Sequence, residues 1–374
     1  MPWVTVLVLA WTSMLAVWTG AVVAPTLQGL ATAWGASKLE VQVLLTLPAL
    51  TLALAGAPAG RSVDRWGPKP VLLAGLGLTT VAAAMGVLAG GVPALAAARA
   101  LQGVAGGCVQ TAASSWLIDA VTAERRAGAV AVQSVGMGLG GILGPILGGA
   151  LAAAGPTGPF YAFAVAVPMS VAVAWLPPLA RPPRAPGSLA ARSVGAKVPA
   201  WFLAAGFLGM LGFYVLPVQI SFLLHEALGL GPQAAGRAIA VMTLPGLLLG
   251  LVFARVRAAL GPRVLLAASF VLPAVGYVWL STVDAMLALT AALLVVGLGF
   301  APLMPNLTLW LAEHTPPESR GRATGWLQVA FFSGQFASPL VVAAALGSAP
   351  ASTVFAVAGW SLPLAGVALA LTRR

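Results

Sequence analysis

The sequence predicts an all-α membrane protein with twelve transmembrane helices, arranged as two parallel six-helix pseudo-repeats. Three observations carry this expectation: the composition, the spacing of the apolar runs, and a self-similarity at about half the chain length. Of 374 residues, 60% are apolar and 7% charged. A soluble domain carries about 25% charged residues because water must solvate its surface. A chain this poor in charge would expose a large apolar surface to water, whereas lipid solvates that surface well.

A crossing helix needs about 20 mostly apolar residues. Cutting the chain at charges and Pro/Gly clusters gives spans near 4–25, 40–60, 70–91, 93–117, 127–152 and 158–179. Six more follow near 200–223, 234–254, 263–283, 285–310, 323–346 and 351–371. The N-terminus lacks the basic region of a secretion signal and runs straight into span-length apolar sequence, so it reads as the first span. Residues 1–179 then form an N-terminal bundle and 200–374 a C-terminal one. Between them, 180–199 is a polar, Pro-rich linker holding Arg181, Arg184, Arg192 and Lys197.

The self-similarity appears at a shift of 194 residues. Gly67-Pro68 falls on Gly261-Pro262 and Lys69 on Arg263. Asp119 falls on Glu313, Glu124 on Glu318, Arg126 on Arg320, Gly140 on Gly334 and Pro145 on Pro339. Agreement of several features at one offset argues for duplicated halves, a plan that places a solute site at the midplane between them.

The net charge of +11 raises the question of nucleic acid, but the placement of the basic residues answers it. With the N-terminus inside, 16 of the 19 Lys and Arg fall in inward-facing segments; Lys38, Arg99 and Arg237 do not. The positive-inside rule therefore puts both termini in the cytoplasm and the chain in the cytoplasmic membrane. Nucleic acid is not an expected partner. The one cysteine, Cys108, excludes an internal disulfide. No metal cluster, cofactor motif or Walker-type sequence is present, and no stretch is polar enough for a nucleotide-binding domain.

Gly60-Arg-Ser-Val-Asp64-Arg65-Trp-Gly67-Pro-Lys69 joins the second and third spans. It resembles the signature loop of the major facilitator superfamily, G-x-x-x-D-R-x-G-R-R/K, with Pro68 in place of the usual Arg. The resemblance implies a conformational latch of Gly60, Asp64, Arg65, Gly67 and Lys69. In that family the arginine pairs with an acid at the end of the fourth helix, here Asp119, and the aspartate approaches the start of the eleventh. In the second half Ala258 and Ala259 stand where Asp64 and Arg65 do, so a degraded counterpart is expected there. Arg99-Ala-Leu-Gln102-Gly103-Val-Ala-Gly106 resembles a second motif, R-x-x-Q-G-x-G. Gly140-Gly-Ile-Leu-Gly144-Pro145-Ile-Leu-Gly148-Gly149 resembles the G-x-x-x-G-P-x-x-G-G pattern of the family's exporters, chiefly drug/proton antiporters. Its glycines line up with Gln133 and Gly136 as a stripe without side chains, which lets another helix approach closely.

The resemblance implies a cavity lined mainly by the first, fourth, seventh and tenth spans. Cavity candidates are Arg99, Gln102, Gln110, Gln133, Tyr214, Gln219, Asn306, Trp310, Gln328, Phe332 and Gln335. An Arg in hydrocarbon costs at least ~2.5 kcal/mol. Arg99 must therefore face a wet cavity, a carboxylate or backbone carbonyls, or snorkel to the interface. All eight acidic residues lie near span ends, which leaves Glu40, His225 and Glu226 as proton-coupling candidates; exposed interfacial roles are the plainer reading of each.

The expected function is a secondary transporter of small organic molecules, working as a monomer by rocker-switch alternating access and exporting against protons. The first alternative is an uptake carrier or facilitator for a small anion or metabolite, with Arg99 as charge anchor. An enzyme or sensor is disfavoured: His225 and His314 fall on opposite sides of the membrane, and neither a nucleophile–base set nor a soluble output domain is evident.

Overall fold

In the computed structural model, which describes residues 2–122, 125–177, 198–316 and 319–371, the chain is helical almost throughout, with no strand among those residues. The expected linker lies outside the described residues except for its last two, as do Glu124 and Glu318. Helices α1 (Pro2–Ala21) and α2 (Leu27–Trp34) run on through a short 3-10 turn as one crossing. They are followed by α3 (Lys38–Trp66), α4 (Pro68–Val87), α5 (Val92–Asp119) and α6 (Arg126–Leu151), then a 3-10 segment leading into α7 (Ala166–Trp175). Next come α8 (Ala200–Leu228), α9 (Pro232–Leu280), and α10 (Met286–Phe300) with α11 (Leu303–His314) as one crossing. The described helices end with α12 (Arg320–Leu346) and α13 (Ala351–Leu371).

Eleven stretches among the described residues are long and apolar enough to cross a membrane. One of them, α9, has 49 residues and is broken at Gly261, whose φ of 78° and ψ of 159° are not helical. Each side of that break can span a bilayer at ~1.5 Å per residue, and read as two crossings α9 brings the candidates to twelve. Gly67, between α3 and α4, has nearly the same backbone, φ 84° and ψ 166°. The duplicated Gly-Pro is thus one turn built twice. A positive φ followed by Pro, which cannot donate to the preceding helix, ends one helix and starts the next.

The described residues form two compact units. The first runs through α7 and also takes in Leu230–Ala240, at the start of α9; the second contains α8 and the chain from Val241 onward. Within the first, α5 packs on α3 and α4, and α6 on α1; within the second, α8 packs on α12 and α13. Large apolar side chains point away from both units, among them Leu54, Trp175, Leu287 and Trp360, each more than two-thirds exposed. Such a surface suits lipid and would aggregate in water.

Candidate functional site

Pro48 sits inside α3 and has no amide to give the carbonyl of Leu44, four residues back. Gly103 of α5 lies against this bend, and a Cβ there would collide with the Thr51 hydroxyl and the Pro48 backbone. The close approach brings Arg99, one turn earlier, onto the freed carbonyl. Its Nε donates to Leu44 O at 2.9 Å, one terminal nitrogen to Leu45 O at 3.0 Å, and the other to Gln102 Oε1 at 2.6 Å. Arg99 is completely buried. Of the four environments the sequence left open, backbone carbonyls are the one that meets the side chain in this structure. Gln102, also buried, is absorbed into the same cluster, although its Nε2 has no partner among the described residues.

The glycine stripe of α6 packs along α1. Gly136 meets the backbone of Ala10, Gly140 meets Met14, Gly144 meets Trp18, and Gly148 meets the Val22 carbonyl. A Cβ at Gly144 would stand 2.9 Å from the Trp18 ring. The other face of the same segment carries the beginning of α9. A Cβ on Gly149 would come within 2.6 Å of the Pro232 oxygen, and one on Gly236 would strike the Pro145 carbonyl. One ten-residue pattern therefore seats two helices. Toward the other end of this contact, Gln133 donates to the hydroxyls of Ser13 (2.7 Å) and Ser114 (3.0 Å), and Gln110 donates to Ser114 at 3.3 Å. These four residues join α1, α5 and α6 in a polar cluster, with the Gln110 oxygen buried and without a partner among the described residues. Ser13 was not singled out from the sequence, because one serine in an apolar helix usually bonds its own backbone, as this one also does to Leu9.

In the signature loop, Asp64 and Arg65 are exposed, and the Arg65 guanidinium lies 5.8 Å from the Trp66 ring centre. Lys69 has a definite structural task. Its ammonium donates to the carbonyls of Ala174 (2.7 Å) and Leu176 (2.6 Å), at the end of α7, where unpaired carbonyls and the helix dipole favour a cation. Gly60 is half-buried on the last turns of α3, and Asp119 closes α5.

In the second unit a different arginine makes an ion pair near the alanines that stand where Asp64 and Arg65 do. Arg257, which the repeat aligns with Val63, forms a two-pronged pair with Glu313, both bonds at 2.7 Å. Its Nε reaches Asn306 Oδ1 at 3.3 Å, and Asn306 in turn donates to Pro262 O at 2.8 Å. This pair lies two positions from where alignment to Arg65 would put it. Asn306 is fully buried and holds the Gly261-Pro262 turn. Arg257 escaped the sequence reading because its partner lies 56 residues away and its aligned position is apolar.

Of the remaining candidates, Gln219 is buried with its oxygen unpartnered among the described residues, and Tyr214 and Phe332 are half-buried. Tyr214 packs edge-on against Phe213, and Trp310 packs edge-on against Trp201 and Phe202 and at a tilt against His314. Gln335 is buried and Gln328 exposed, about two turns apart on α12. The proton-coupling candidates all lie at helix ends. Glu40 closes a capping box with Ser37 at the start of α3. Glu226 accepts the amide of Ala351 at 2.9 Å and so caps α13. His225 is exposed in the last turn of α8. Metal-type groups of three His, Cys, Asp or Glu do not occur among the described residues.

A sequence model of the Major Facilitator Superfamily matches residues 8–339 and again 201–374. Multidrug resistance protein 1 of Bacillus subtilis (strain 168) is 26% identical over 78% of this chain and 77% of its own length. The tetracenomycin C resistance and export protein of Streptomyces glaucescens is 27% identical over 89% of this chain and 74% of its own. Among solved structures, the xylose transporter XylE from E. coli, in an inward open conformation, superposes with a TM-score of 0.78. It covers 99% of this chain and 96% of its own at 15% identity, a likeness of fold.

Proposed function

The chain belongs to the Major Facilitator Superfamily, a family of transporters and not of enzymes, and on that premise we propose that it exports small organic molecules across the cytoplasmic membrane in exchange for protons. The observation that carries this reading is the segment Gly140–Gly149, which resembles the exporter pattern and whose two faces seat α1 and the start of α9. Relatives that export drugs and antibiotics support the direction. With the Arg99 guanidinium engaged by backbone carbonyls, this reading does not use it as an anion anchor. The side chains left for a cavity are amides and aromatics, among them Gln110, Gln133, Tyr214, Gln219, Phe332 and Gln335. These suit neutral or amphipathic solutes, which hydrogen bonds orient without requiring a matching charge. Alternating access would proceed by rocking of the two six-helix halves about that cavity, with Asp64, Arg65 and Asp119 latching one state and both termini in the cytoplasm.

The test uses everted vesicles energised to an acid interior and read with a pH-sensitive dye. Cationic, neutral, zwitterionic and anionic compounds are added in turn. Neutral or amphipathic compounds are expected to dissipate the gradient with the wild type. Asp64→Asn, and Gly144→Leu with its intrusion on Trp18, should abolish the response without preventing insertion. Dissipation by anions alone, or full activity in both variants, would sink the reading.

A further inference from the structure

The repeat that duplicates the Gly-Pro turn fails one residue later. Lys69 spends its charge on the end of α7, whereas Arg263, its partner at the 194-residue shift, is exposed and makes no hydrogen bond or ion pair among the described residues. Arg263 instead stands at the mouth of a half-open groove of about 260 Å³ between α9 and α13, with Trp201 of α8 beside it. Below the mouth the groove is apolar, lined by Leu266, Phe270, Pro363 and Gly366. Gly366 draws the two helices together at its floor, because a Cβ there would stand 3.2 Å from that of Phe270.

Two magnitudes decide what such a groove accepts. Pockets that enclose a small organic molecule run ~300–1,000 Å³ and bring several polar groups to bear; this one is smaller and offers only a guanidinium and an indole, both at one end. From Arg263 to Val271 the groove descends eight residues of α9, ~12 Å at ~1.5 Å per residue. That is most of one leaflet of a ~30 Å hydrocarbon core. The flanking Val271 and Val367, 50% and 58% exposed, point where lipid would be. A cation and an indole at the headgroup level above a chain-wide apolar channel match an amphiphile with one anionic head.

We propose that this groove is a binding site for an anionic phospholipid, with the phosphate on Arg263, the headgroup region beside Trp201 and one acyl chain along α9 and α13. Basic sites between helices on the cytoplasmic side hold anionic headgroups in this manner. The leaflet assignment rests on the inward orientation of the termini; the site itself is independent of what the protein transports.

The test is native mass spectrometry of the purified full chain, titrated with phosphatidylglycerol or with phosphatidylcholine of the same chains. Wild type should retain one phosphatidylglycerol more tightly than phosphatidylcholine. Arg263→Gln should weaken phosphatidylglycerol about fivefold, the value of one basic residue at a membrane surface, and leave phosphatidylcholine unchanged. Ala267→Phe, at an exposed position lining the groove, should displace both lipids. Arg255→Gln, an exposed cation outside the groove, serves as the control for bulk charge. Wild-type phosphatidylglycerol binding in Arg263→Gln or in Ala267→Phe would overturn the site. An equal loss in Arg255→Gln would overturn it too, by reducing the effect to general attraction.

Discussion

The two units share one Gly-Pro turn and fasten its surroundings with different chemistry. In the first, the Gly67-Pro68 turn is followed by Lys69 capping α7, and the unit's deep arginine, Arg99, is buried under carbonyls of α3. In the second, the Gly261-Pro262 turn is held from within by Asn306, and the unit's anchoring arginine, Arg257, pairs at the rim with Glu313. The difference teaches that duplication preserved what the backbone requires, a positive-φ glycine followed by a proline, and left the side-chain fastening free to move. A fastening needs only a donor within reach of an acceptor. Several positions on neighbouring turns satisfy that, whereas only glycine readily satisfies the turn.

Breaking each fastening should rank them by burial. Arg99→Ala is expected to have the largest effect, since it bares the Leu44 carbonyl in an interior with no water to replace the donor. The loss should be ~1–3 kcal/mol for the orphaned group, with more from lost packing, read as a lower unfolding midpoint in detergent. Arg99→Lys should not rescue it, because a single ammonium cannot serve both carbonyls and Gln102 in one plane. A midpoint within error of wild type for Arg99→Ala would mean that the carbonyl finds another donor.

Next comes the rim pair. The Arg257 side chain is 15% exposed and that of Glu313 48%, so water screens the attraction and each single alanine variant should cost about 1 kcal/mol. The double variant should cost little more than either single one. Full additivity in that cycle would show that the two side chains stabilise the unit independently, contrary to the geometry.

Lys69→Met should have the smallest effect, ~0.3–1 kcal/mol, the usual value of a cation at a helix C-terminus. The change is expected as faster amide exchange confined to the last turn of α7, with the global midpoint almost unmoved. Uniform loss of protection across α3 to α7 would instead make Lys69 a keystone of the whole unit.

The architecture was readable from the sequence because each signal was local or repeated. Apolar runs, the Gly-Pro turns and the stripe from Gly136 to Gly148 announce themselves within a few turns of helix. Burial tests such residues together, so the pattern survives in the order of the letters. The Arg99 motif was readable as something that must be satisfied, yet its partner was not. The acceptor arises from Pro48, 51 residues earlier, and only the packing of Gly103 on that bend brings the two together. Arg257 with Glu313, and Ser13 with Gln133, were illegible for the same reason: hydrogen bonds across 56 and 120 residues leave no spacing rule.

By itself, then, the sequence determined a membrane-embedded helical chain, its duplicated plan and its kinship, because lipid imposes composition and periodicity on every span. The tertiary structure alone decided which polar atoms find partners. Glu40 and Glu226 became helix caps, Asn306 a turn clamp and Arg99 a buried tie, while Gln110 and Gln219 kept unpartnered oxygens among the described residues. Whether a buried polar atom is satisfied depends on what another helix places within 3 Å of it, and that is fixed only when the helices pack.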